Sequence, residues 1–341
     1  MVIRPAMTVR QARAAIVGIA GPFLLAEEAA LFQAFPPAGV ILFSRNVQDP
    51  AQLAALVASL RAVLPPGAEL MVDQEGGRVA RLKAPHWHVH PPAAALGRLF
   101  DTNPAAGLRA AWLTGALIGC DSRCAGFTIA AAPVLDISVP GTHDVIGDRA
   151  FARHPVTVAR LGRAVANGLL AAGVIPVGKH APGHGRVRVD SHHELPKVAE
   201  ADLSADIRPF ALNADLPWMM MAHIVYDAID PHLPATLSAT VIATVIRGRI
   251  GFGGVLVTDD LAMKALSGAP ADLAVQALAA GCDIALYCSG DLAPTEALLR
   301  ACPPLTPAAE RRLHAGRAAS ATRHLTLEPA LLEAERERLL T

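Results

Sequence analysis

Residues 179–196, KHAPGHGRVRVDSHHELP, hold four histidines among prolines, glycines and arginines. Asp190 stands two residues before His192. A histidine titrates near neutral pH and can both give and take a proton. A nearby carboxylate orients its ring and stabilises the protonated form. Asp190 and His192 are therefore a candidate proton relay. His180 and His184 have the i,i+4 spacing of helical zinc ligands, but Pro182 and Gly183 lie between them and the usual glutamate is missing. No metal site is expected, and His184 reads as a structural anchor of the loop. PGHG offers backbone amides to a phosphate, yet Lys179 precedes its glycines, and no GxGxxG follows the first apolar run. Nucleotide binding is not expected.

Glycoside hydrolysis suits these residues better. It needs a group that attacks or stabilises an oxocarbenium-like centre and a proton donor to the leaving oxygen. A carboxylate at a strand end is a rigid nucleophile, and Asp259 or Asp260 in TDDLAM could serve. Sugar hydroxyls need charged and polar partners. Asp73, Arg81, Arg149, Lys179 and His180 match that demand.

Such residues must be positioned by a scaffold, and the apolar runs show which. Eight short runs recur: Ala15–Ala20, Val40–Phe43, Leu70–Asp73, Thr128–Pro133, Val174–Gly178, Trp218–Ala222, Val255–Thr258 and Ile284–Tyr287. They seldom alternate polar with apolar, as expected of parallel strands buried on both faces. Alanine- and leucine-rich helical segments separate them, including Pro50–Val63, Ala105–Cys124, Pro155–Ala172, Leu203–Asn213, Ala239–Arg249 and Ala271–Ala280. Asp49, His154 and Ser238 stand at helix starts as caps, and Gly173, Gly251 and Gly281 at helix ends. Eight strands alternating with helices predict an α/β fold, a single (β/α)8 TIM-type barrel. Residues 1–341 are expected to form one catalytic domain, with its core over about 14–300 and trailing C-terminal helices over about 306–341. In such barrels the chemistry sits at strand C-termini. Asp73, Asp136, Lys179 with His180, His223, and Asp259 with Asp260 all follow strand ends.

Composition excludes other classes. The formal net charge is zero, from 30 basic and 30 acidic residues, so no field favours nucleic acid or an anionic membrane. No run reaches the ~18 apolar residues of a membrane span. Arg4, Arg10 and Arg13 before an apolar stretch resemble a signal peptide, but AIVGIAG also completes the strand repeat and is read as a buried first strand. The five cysteines are odd in number and form no CxxC pair, which predicts buried reduced thiols.

The motifs GVILFSRNV, DQEGGRVARL, APVLDI, IGDRAF, GKHAPGHG, DSHHELP, MAHIVY and GFGGVLVTDDLAM, in this order, resemble family 3 glycoside hydrolases, in particular bacterial β-N-acetylglucosaminidases of the NagZ type. The resemblance implies Asp259 as nucleophile, His192 as acid/base with Asp190 as its partner, and Asp260 in a structural role. It implies that Asp73, Arg81, Arg149, Lys179 and His180 bind the sugar, with no metal or organic cofactor. The implied substrate is a terminal β-linked N-acetylglucosamine on 1,6-anhydro-muropeptides, cleaved with retention during cell-wall recycling by a cytoplasmic monomer without nucleic-acid or membrane partners. β-Glucosidase and phosphate-using phosphorylase activities are the related alternatives.

Overall fold

The computed structural model describes residues 11–141, 145–187 and 195–341. Eight parallel strands close into a barrel: β1 (Arg13–Gly18), β2 (Pro37–Leu42), β3 (Glu69–Val72), β4 (Ile129–Ala130), β5 (Ile175–Ala181), β7 (Trp218–Met221), β9 (Val255–Asp260) and β10 (Ile284–Tyr287). Their order around the barrel is β1-β10-β9-β7-β5-β4-β3-β2. Two short strands, β6 (Lys197–Val198) and β8 (Val225–Tyr226), pair with each other outside it. Each expected run supplies one barrel strand. The apolar run after Arg13 pairs with both β2 and β10. The fourth strand is cut to two residues, while β5 and β9 run far enough to include Lys179, His180, Asp259 and Asp260.

The absence of polar alternation now has its cause. Ile16, Ile41, Met71, Ile129, Val177, Trp218 and Leu286 fill the barrel interior. Their neighbours Val17, Val40, Leu42, Leu70 and Val72 pack outward beneath the helices. Both faces of each strand are removed from water, so both must be apolar.

The helices are α1 (Ala26–Ala34), α2 (Pro50–Val63), α3 (Ala93–Thr102), α4 (Pro104–Cys124), α5 (Pro155–Ala171), α6 (Ser204–Ala211), α7 (Ala239–Val241), α8 (Pro270–Ala280), α9 (Leu292–Ala301), α10 (Pro307–Arg323) and α11 (Pro329–Leu340). The Asp49 carboxylate accepts from the Gln52 amide at 2.9 Å, and the Ser238 hydroxyl from the Val241 amide at 3.1 Å, so both are caps. His154 makes no side-chain cap; only its carbonyl enters α5. Beyond α7 the helix widens over Ile242–Arg249, with the Ile250 amide donating to the Val245 carbonyl five residues back. The cysteine expectation is corrected in part. All five thiols are free, but Cys124 is exposed and Cys120 only half-buried.

The two last helices do more than trail. From α10, Leu313 joins the barrel-interior cluster, and Arg317 and Arg312 pair with Glu69 and Asp283 at the strand N-terminal end. This helix closes the barrel floor. In α11, the buried Arg336 donates to the Val89 carbonyl at 2.9 Å and to Nδ1 of His90 at 3.1 Å. His90 in turn uses Nε2 toward Asp121 and accepts the Gly77 amide on its carbonyl. The C-terminal helix is thus tied to the loop after β3.

Helices α4 and α5 touch backbone to backbone. A Cβ on Gly168 would lie 2.2 Å from the Trp112 carbonyl oxygen, and one on Gly115 would lie 2.1 Å from that of Val165. Alanine improves helix propensity by about 1 kcal/mol over glycine. Here that gain loses to overlap with backbone that cannot yield. Gly168→Ala is expected to destabilise the fold by about 1–3 kcal/mol, read from its denaturation midpoint. A midpoint equal to or above that of the parent chain would show the crossing to be loose.

Candidate active site

The loop after β3 carries the first group. Gln74 is fully buried and its amide oxygen accepts from the Arg81 and Leu82 amides, while its NH2 donates to the Leu82 carbonyl. These bonds fold residues 74–82 back on themselves. At Gly77 φ is +55°, and a Cβ would lie 2.8 Å from that of Pro92, so the turn requires glycine. The fold-back brings Arg81 onto Asp73, with Nη2 2.7 Å from Oδ2. Lys179 reaches across from β5, its Nζ 2.7 Å from Asp73 Oδ1 and 2.5 Å from Glu75 Oε1. Arg149, on a short 3-10 turn (Gly147–Arg149), donates from Nε and Nη2 to the two carboxylate oxygens of Glu75, both at 2.8 Å.

Lys179 is only 3 % exposed. Burial pushes its pKa down, but Asp73 and Glu75 outweigh this and leave it raised. The same pairs act in reverse on the acids. Burial pushes Asp73 up, and Lys179, Arg81 and Arg149 hold it well below the usual carboxylate range. Glu75 is likewise pushed up by burial and held down by Lys179 and Arg149. The cluster is a set of fixed ions with donors and acceptors facing the barrel mouth.

A second set sits beside it. Asp136, buried beyond β4, accepts from Nδ1 of His180 at 2.7 Å and from the His184 amide at 2.7 Å. The carboxylate thus holds the His180 ring by its Nδ1–H, and Nε2 faces Arg149, whose Nη2 stands 3.4 Å from it. His184 is buried as well, and burial together with His180 pushes its pKa down to about 4.

At the end of β9, Asp259 Oδ1 accepts the Asp260 amide at 2.8 Å. Burial pushes the Asp259 carboxyl up. His180, His223, that amide and Lys179 together outweigh burial and hold it below the usual range. Asp260 differs. Its Oδ1 accepts the Ala262 and Cys288 amides, both at 2.9 Å, tying β9 to the end of β10. Burial leaves its carboxyl raised. His223, fully buried, donates from Nε2 to the Asp260 carbonyl at 3.0 Å and meets Thr236 Oγ1 with Nδ1 at 2.8 Å.

These groups line one cavity of about 740 Å³, counted to its open mouth. Asp73, Arg81, Arg149, Lys179, His180 and Asp259 all border it, together with Asp260, His184, Phe43, Met220, Leu286 and Cys288. Met220 and Leu286 are buried barrel-interior side chains, so the cavity is blind at its floor. Of the residues singled out in the sequence, Asp190, His192 and His193 lie outside the described residues. Sequence reasoning gave no role to Glu75, although it stands two residues past Asp73 in the same glycine-rich loop. It placed Asp136 at a strand end without seeing its partner His180, and it took His184 for a loop anchor although that ring borders the cavity. Among the described residues no group of three or more His, Cys, Asp or Glu is arranged to hold a metal ion, and no helix is long and apolar enough to cross a membrane.

Known proteins share this scaffold. Residues 24–314 match the glycosyl hydrolase family 3 N-terminal domain. A beta-hexosaminidase of Aromatoleum aromaticum is 37% identical over 317 residues, covering 90% of this chain and 88% of its own. One from Alkalilimnicola ehrlichii is 41% identical over 305 residues, covering 87% and 86%. The crystal structure of NagZ from Neisseria gonorrhoeae in complex with N-trifluoroacetyl-D-glucosamine superposes with a TM-score of 0.85 at 31% identity, over 97% of this chain and 99% of that one. With a closed parallel barrel, a cavity of fixed ions at its mouth and these relatives, the chain belongs to glycoside hydrolase family 3 and is a glycosidase of the β-hexosaminidase type.

Proposed function

We propose that the chain is a retaining exo-β-N-acetylglucosaminidase that works through a glycosyl-enzyme intermediate. The observation that carries this is the setting of Asp259: an ionised carboxylate at a strand end, in a blind cavity ringed by Asp73, Arg81, Arg149, Lys179 and His180. Those five side chains bind the hydroxyls of one terminal sugar, and the closed floor leaves no path for a chain running through. Asp259 attacks the anomeric carbon, and His192, oriented by Asp190, donates its proton to the leaving oxygen. Neutral His192 then takes a proton from water as that water displaces Asp259. The solved relative that holds an N-acylated glucosamine supports the sugar assignment.

The residues of this site need no metal or organic cofactor for these steps. The leaving group in this reading is a 1,6-anhydro-muropeptide, which places the chain in cytoplasmic cell-wall recycling, acting as a monomer. A single catalytic unit spanning residues 1–341, with no nucleic-acid or membrane partner, belongs to the same reading.

A 2-fluoro sugar with an activated leaving group tests the intermediate. It lacks the acetamido group, so it cannot react through its own substituent, and only an enzyme nucleophile can trap it. Peptide mapping is expected to find the label on Asp259. A label on Asp260 would move the nucleophile by one residue, and no label at all would remove the covalent intermediate. Turnover unaffected by added inorganic phosphate separates hydrolysis from phosphorolysis.

A further inference from the structure

Glu75 borders the site without lining it. The sugar cavity is bounded by Arg149 and Lys179, whereas Glu75 faces a separate space behind Arg149, with Pro91, Pro92 and Thr114. Yet it is the residue on which both cations converge. Its two oxygens accept from Nε and Nη2 of Arg149, both at 2.8 Å, and Oε1 also meets Lys179 Nζ at 2.5 Å. We propose that Glu75 is a positioning residue: it sets the angle of Arg149 and the reach of Lys179, and so the pattern of donors that a terminal sugar meets.

The argument is geometric. Lys179 has Asp73 as a second partner, but the Arg149 fork has no carboxylate among its described hydrogen-bond partners besides Glu75. A planar guanidinium needs two acceptor oxygens side by side to be held in one plane. Burial raises the cost of any other arrangement, since Glu75 has a side chain only 7% exposed. Both arms also explain why this acid is not a proton donor, for Lys179 and Arg149 keep it ionised against the pull of burial.

The inference rests on the glycosidase reading above, and the test keeps the two apart. The intact chain is assayed on an aryl N-acetylglucosaminide, and its binding of free N-acetylglucosamine is measured by titration. An inactive parent chain would count against the proposed function; the inference about Glu75 is judged on the variants. In Glu75→Gln one acceptor becomes an N–H donor facing Arg149. KM is expected to rise about 10–100-fold with kcat within about threefold, and the sugar Kd to weaken in parallel. Unchanged KM and Kd would overturn the proposal, as would a loss confined to kcat. Should this variant not fold, Glu75→Asp decides. It keeps the charge and shortens the reach, and KM is expected to rise about tenfold. A parental KM in Glu75→Asp, or failure of both variants to fold, would assign Glu75 to stability alone and overturn it.

Discussion

Asp259→Ala is expected to lower kcat/KM on an aryl N-acetylglucosaminide by about four to six orders of magnitude while leaving the barrel intact. The side chain that is lost makes one described hydrogen bond, to the amide of its own neighbour, so little of the fold depends on it. A small anion such as azide, admitted to the vacated space, should restore part of the rate on activated substrates and give a glycosyl azide of inverted configuration. Near-parental turnover of Asp259→Ala would end its assignment as nucleophile. The parent chain's pH profile carries a second check. Burial raises the Asp259 pKa, but His180, His223, the Asp260 amide and Lys179 bring it below its unfolded value. A carboxylate depressed in this way is ionised above its ordinary range and stays so as pH falls through about 4. Loss of kcat/KM between pH 7 and 5 should therefore not report this group, and an acid limb that tracked Asp259 in that window would contradict the electrostatics.

How much of this was legible in the residues depends on which interactions were local. Strand positions came through because both faces of each strand are buried, so runs such as VLV and IALY are apolar throughout. The rim residues came through because a charge at the end of such a run is costly unless it has a use. Pairings were not legible. Lys179 lies 106 residues from Asp73, and His180 lies 44 from Asp136; no spacing rule connects them. Only closure of the barrel brings the ends of β3, β4 and β5 side by side. Glu75 was missed for the same reason: two residues past Asp73 it looks like part of a turn, and its partners appear only when Arg149 arrives from the loop after β4 and Lys179 from β5. Periodicity showed that helices trail the barrel but not that Leu313 enters its floor, because a repeat names no tertiary partner.

The proton donor can be argued from charge among the described residues. At the mouth, Asp73, Glu75, Asp136 and Asp259 are all held below the usual carboxylate range, so none carries a proton at neutral pH. Burial lowers the pKa of His223, and burial with His180 pushes His184 down to about 4. Asp260 alone among the described carboxylates bordering the cavity is raised, yet its Oδ1 is committed to two backbone amides. Two candidates for the acid can be set against each other by experiment: the raised Asp260, and His192 with Asp190, the pair of the proposed mechanism. His192→Ala is expected to slow hydrolysis of substrates with poor leaving groups by about 10²–10⁴-fold, and to slow activated aryl substrates far less, because a good leaving group departs without a proton. Asp260→Asn keeps the oxygen that receives the two amides. Its loss should stay within about tenfold and be the same for both substrates. The alkaline limb of kcat/KM should vanish in His192→Ala. Equal losses on both substrates in His192→Ala, with the leaving-group dependence appearing in Asp260→Asn, would pass the role to Asp260.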